Sequence, residues 1–151
     1  MSYLDQRAPR NEAGAALVEF VLVLPLLLVL LLGMLDLGKA FNYWIDETHL
    51  AHEGARFAAV NKNPGPGATL QESLKAQADT DELRDAIEVQ ICFPGAGGAV
   101  VGEPVQVKVR STYTFLGFIA DRLDVTDATI SSTSTMRLER PPTNLTADDC
   151  T

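Results

Sequence analysis

The sequence predicts an α+β protein in which one long N-terminal helix packs against a small antiparallel β-sheet. Three observations lead there. From Ala15 to Leu35 an apolar run of 21 residues is broken only by Glu19, Pro25 and Gly33, matching the roughly 20 helical residues needed to cross a hydrocarbon core of about 30 Å. From Asp36 onward, apolar residues recur at helical spacing without a break. Past residue 86 they alternate with polar ones, the period of half-buried strands. The 151 residues make one small unit with some polar extensions. A formal charge of −8, with no basic run longer than one residue, sets aside a nucleic-acid partner, whose phosphates require clustered cations.

Residues 1–14 read as a short polar leader. Arg7 and Arg10 precede the apolar run and only Lys39 follows it closely, so the N-terminus is expected on the cytoplasmic side and the bulk of the chain outside. The run is longer than a secretory h-region of about 7–15 residues and does not end in a small-residue cleavage pattern. No Cys stands near it for lipid attachment. Residues 15–35 are therefore assigned to a transmembrane span.

Glu19 is the anomaly in that span, because an ionisable side chain at mid-membrane costs about 2.5–3.5 kcal/mol. It snorkels to the headgroups, is protonated, or meets a cation. Cutting the chain after Gly14 would supply the cation: Ala15 would become an N-terminal amine one helical turn from the Glu19 carboxylate. Pro25 removes the donor for the Val21 carbonyl and either kinks the helix or is tolerated as prolines in membrane helices are.

Residues 36–60 continue as an amphipathic stalk. Leu37, Phe41, Trp44, Ile45, Thr48, Ala51, Ala55 and Ala58 recur on one expected apolar face, with Asp36, Lys39, Asp46, Glu47, Glu53 and Arg56 mostly elsewhere. One helix from Ala15 to Val60 would be about 69 Å long, more than twice the membrane core. The small residues around Gly54 leave a smooth strip for close approach of a sheet or helix. His49 and His52, next to Glu53, are too few and wrongly spaced for a zinc site and read as a solvated or interfacial helix face, so no metal is assigned. The helix is expected to stop at Asn61–Gly67, where two prolines and two glycines intervene.

Residues 61–140 form the expected extracytoplasmic domain. Thr69–Ala86 reads as one helix, or two broken near Asp79-Thr80-Asp81 with Thr80 or Asp81 as cap. Ile87–Phe93 alternates as a strand, Pro94–Pro104 is a Gly-rich loop, and Val105–Phe115 is the clearest strand. Leu116–Ile119 is an apolar bridge, and a third strand is expected from about Ala128 to Glu139. Residues 141–151 form a tail, expected to be loose. Cys92 and Cys150 are the only cysteines and, in an oxidising space, suggest one disulfide; two free thiols are the alternative. No nucleophile elbow, phosphate-cradling loop or Cys-His dyad appears, so no catalytic residue and no cofactor are assigned.

The string Gly14-Ala15-Ala16-Leu17-Val18-Glu19-Phe20, followed by Val21–Leu32 with Pro25 inside, resembles the type IV prepilin processing signal in its Glu-Phe form. That form is typical of TadE-like minor pilins (pseudopilins) of the tight-adherence or Flp pilus system. The likeness continues through Gly33–Phe41 and His52–Val60, so that its specific part covers Ala15–Val60. The leader departs from the family pattern, since Asp5 and Glu12 offset Arg7 and Arg10.

This resemblance implies a pilin-like fold in a bacterial cytoplasmic membrane. It implies cleavage between Gly14 and Ala15 by a membrane-embedded aspartyl prepilin peptidase, with Glu19, beside Phe20, then pairing with the Ala15 amine of a neighbouring subunit. Other pilins or pseudopilins, the pilus assembly platform and membrane lipid are the implied partners. The protein would be packed helix to helix into a pilus or would prime its assembly. The competing expectation is a single-pass anchored domain that binds an envelope partner and is never polymerised.

Overall fold

The computed structural model describes residues 12–115 and 127–150; the apolar bridge expected at Leu116–Ile119 lies outside them. Helix α1 is Glu12–Ala59, followed by α2 (Leu70–Lys75), α3 (Asp81–Ala86) and strands β1 (Glu88–Cys92), β2 (Pro104–Thr114) and β3 (Asp127–Arg137). This is the expected α+β arrangement of a long apolar helix and a small sheet. The chain divides into two compact units, one ending at Leu37 and one beginning at Gly38.

The first unit is the apolar part of α1, which continues through Pro25. Its most apolar stretch has a mean hydropathy of 2.9, and none of it is buried against protein. A helix that is apolar all round needs an apolar surrounding. This one is long and apolar enough to cross a membrane and fits a single-pass anchor.

The second unit is built on a sheet of order β1-β2-β3, both pairs antiparallel. Val107 lies at its centre, opposite Ile91 on β1 and Ser134 on β3. One face of the sheet carries Val89, Ile91, Val105, Val107, Val109, Ser111 and Tyr113, all buried. The stalk part of α1 lies on that face: a Cβ added to Gly54 would stand 3.0 Å from Val107 Cγ1, and the Tyr43 and Tyr113 rings meet edge-on at 5.3 Å. Gly54 and its neighbours Ala51, Ala55 and Ala58, all buried, let the backbone come this close. On the other side, Leu74 of α2 approaches the Gly54 position to 2.7 Å.

The buried face of α1 is not the one the apolar spacing predicted. Ala51, Ala55 and Ala58 are inside as expected, but Leu37, Phe41, Trp44 and Ile45 are exposed, whereas Asp46 is buried and Glu47 is 0% exposed. Glu47 lies one, two and three helical turns before Ala51, Gly54 and Ala58, on the line that meets the sheet. The wheel drawn around the bulky residues was rotated away from this line of small ones.

Helix α1 ends through a backbone motif at Asn61. Asn61 takes a left-handed conformation (φ 51), its N–H donates to the Ala58 carbonyl, and the Lys62 N–H donates to Phe57 at 2.9 Å. These are the paired bonds of a Schellman stop with Asn in the position that usually holds Gly. The Lys62 ammonium closes it by resting 3.6 Å above the Phe57 ring.

The segment after the stop forms two short helices. Thr69 and Glu72 make a capping box at the start of α2, and Thr80 caps α3 by accepting from the Leu83 N–H. Asp46 is buried because its Oδ2 accepts the Asp79 N–H (3.1 Å) just ahead of that cap. The tail is tied down rather than loose. Asn61 exchanges hydrogen bonds with Thr143, Gln71 with Thr146, and Asp148 with the backbone of Ile91. Cys150 then joins Cys92, with Cα atoms 5.3 Å apart.

Candidate functional site

The motif residues Gly14 to Phe20 all lie in α1, near the start of its described part. Among the described residues, nothing lies within 4 Å of a Cβ placed on Gly14. Gly also weakens the helix there, by about 1 kcal/mol relative to Ala.

Glu19 and Phe20 are exposed one turn further on, and among the described residues no side chain bonds to Glu19. The backbone places Ala15 and Glu19 four residues apart, about 6 Å along the axis. Pro25 is exposed within the continuous helix.

Elsewhere the polar groups are structural. His49 Nδ1 lies 3.8 Å from Glu53 Oε2, and His52 Nδ1 lies 3.0 Å from Ser134 Oγ. The second pair brings a helix imidazole to a buried hydroxyl on β3. Among the described residues no set of three or more His, Cys, Asp or Glu is arranged to hold a metal.

Glu47 is the notable residue that sequence reasoning missed. Its Oε1 accepts a 2.5 Å hydrogen bond from Ser111 Oγ of β2, while the buried Oε2 has no hydrogen-bond partner among the described residues. Burial pushes its carboxyl up to about 7 from 4.5; Asp46 adds to the rise and the bonds from Ser111 oppose it. The available signal was its spacing of 4, 7 and 11 residues from Ala51, Gly54 and Ala58.

Residues 14–56 match the family described as TadE-like protein, the family that the sequence of this segment resembles. The matched stretch opens at Gly14 and closes at Arg56, near the end of α1. No curated protein and no solved structure matches the chain.

Proposed function

Starting from a TadE-like segment over residues 14–56, we propose that the chain is a minor pilin, or pseudopilin, of a tight-adherence pilus. It is inserted as a precursor with its N-terminus in the cytoplasm and is cut between Gly14 and Ala15 by a prepilin peptidase. Its role is structural rather than enzymatic. Helix packing places it in a pilus or in the complex that primes one, alongside other pilins and the assembly platform.

The observation that carries this reading is an exposed Glu19 carboxylate, with no partner among the described residues, at the head of an exposed apolar helix. At the edge of the hydrocarbon such a charge is stabilised by a counter-charge, and cleavage creates one four residues away at the Ala15 amine. Within one helix the two groups lie on the same side, and in a staggered pair of helices the amine of one subunit meets the acid of the next. Loss of one partner from a buried pair costs about 3–5 kcal/mol, far more than the pair's net worth, so the contact selects register and partner more than it adds stability.

Intact-mass measurement of the protein purified from membranes of its host tests the proposal. A chain beginning at Ala15 is expected. One beginning at Met1 or Ser2 in cells with active peptidase would overturn the reading in favour of an anchored, unpolymerised binding domain. Glu19→Ala is expected to leave membrane insertion intact and to abolish co-purification with other pilins.

A further inference from the structure

Beyond the exposed Lys39, the outward face of α1 carries no carboxylate or cation as far as His49. Between Lys39 and His49 the acids are Asp46 and Glu47, and both turn inward, at 8% and 0% exposed. At its surface stand Phe41, Trp44 and Ile45, at 59%, 47% and 49%, beside the uncharged Asn42, with the Phe41 and Trp44 rings 5.4 Å apart. Leu35 and Leu37 in the preceding turns are also exposed.

The length of the helix decides what covers the patch. A hydrocarbon core over residues 15–35 would hold Glu19 inside it and leave Trp44 about 14 Å beyond its edge, in water. Moving the core outward to residues 20–40 keeps the same length, about 30 Å. Glu19 then falls at one boundary, and Trp44 stands about 6 Å past the other, at the level of the headgroups. Tryptophan favours that level, because its ring is amphipathic. Lys39, which is exposed, lies one residue inside the boundary, within snorkelling reach of phosphate. Asp36, deeper, is only 8% exposed and has an interaction partner within the chain.

We propose that Phe41, Trp44 and Ile45 form a membrane-interface surface that docks into phospholipid headgroups on the side of the sheet domain, with residues 20–40 spanning the hydrocarbon. This rests on reading the apolar part of α1 as a bilayer span, and not on cleavage or polymerisation.

Trp44 is the only tryptophan, so the native chain reports its own depth. The full-length protein is reconstituted at low protein-to-lipid ratio into phosphatidylcholine vesicles and floated with them. Trp44 fluorescence is then quenched by lipids brominated just below the glycerol, by lipids brominated near the chain end, and by aqueous iodide. Shallow bromines are expected to quench several-fold more than deep ones, and iodide several-fold less than it quenches free tryptophan.

Strong iodide quenching without bromolipid quenching would put Trp44 in water and overturn the proposal. Shielding from both would mean that protein covers the patch and would also overturn it. Failure of the chain to float with the vesicles would remove the span itself, a distinguishable result. The double substitution Phe41→Ser and Ile45→Ser changes only exposed residues and is expected to raise iodide quenching several-fold. Unchanged quenching in that variant would mean the patch does not hold Trp44 at the interface.

Discussion

Replacing Glu47 by Gln separates the effect of its charge from that of its shape. In the folded protein the carboxyl titrates near 7, against 4.5 for an ordinary glutamate, because α1 holds it against β2 without water. The folded state therefore binds the Glu47 proton more tightly than the unfolded state does. Below about pH 4.5 both states are neutral at this position and the fold pays no penalty. As pH climbs from about 4.5 to about 7, stability is lost, and above that the loss is constant. At about 1.4 kcal/mol per pH unit, a rise from 4.5 to about 7 amounts to a loss of about 3 kcal/mol at most.

Gln keeps the oxygen that accepts from Ser111 but puts an amide N–H₂ where Oε2 now lacks a partner, at a cost of about 1 kcal/mol at every pH. The variant is thus expected to be about 1 kcal/mol less stable than the parent near pH 4.5 and about 2 kcal/mol more stable near pH 8. Urea unfolding of the detergent-solubilised protein measures this, with near-ultraviolet circular dichroism reading the Tyr43, Tyr113 and Phe115 rings that pack edge to edge. Other carboxylates titrate over the same range but are common to both proteins. A stability difference that stays constant from pH 4.5 to pH 8 would refute the argument that Glu47 is a buried, proton-holding acid.

Three further outcomes are expected. Cys150→Ser opens a bond between residues 58 apart and should cost up to about 4 kcal/mol by loop entropy, read as a lower urea midpoint. Alkylation without reductant should label no thiol in the parent. Gly54→Val places a branched side chain where even a Cβ would stand 2.7 Å from Leu74 Cδ1 and 3.0 Å from Val107 Cγ1, and should destabilise the sheet domain by about 1–3 kcal/mol in the same unfolding assay. Thr69→Ala removes one half of the capping box on α2 and should cost about 1 kcal/mol, with increased amide exchange at Glu72.

Much of the architecture was legible because its signals are local. The run from Ala15 to Leu35 reads as a helix long and apolar enough to cross a membrane without reference to any other part of the chain. The alternation from Val105 to Phe115 predicted β2, whose buried face is the predicted one as far as Tyr113. The end of α1 was placed correctly, although the stop is made by Asn61 in a left-handed turn ahead of the prolines and glycines that drew attention to the segment. The tail looked loose because its ties run to residues distant in sequence, the side chains of Asn61 and Gln71 and the backbone of Ile91, which composition does not reveal.

The sequence by itself determined the elements, their order and the environment each half of the long helix requires, since hydropathy and periodicity are properties of neighbouring residues. Only the tertiary structure decided which side of the stalk faces the sheet. A close helix–sheet contact selects the small residues Ala51, Gly54, Ala55 and Ala58, and this selection carried Glu47 into the core and turned Phe41, Trp44 and Ile45 outward. Backbone approach is limited by side-chain volume, so here shape overruled hydrophobicity in setting the buried face.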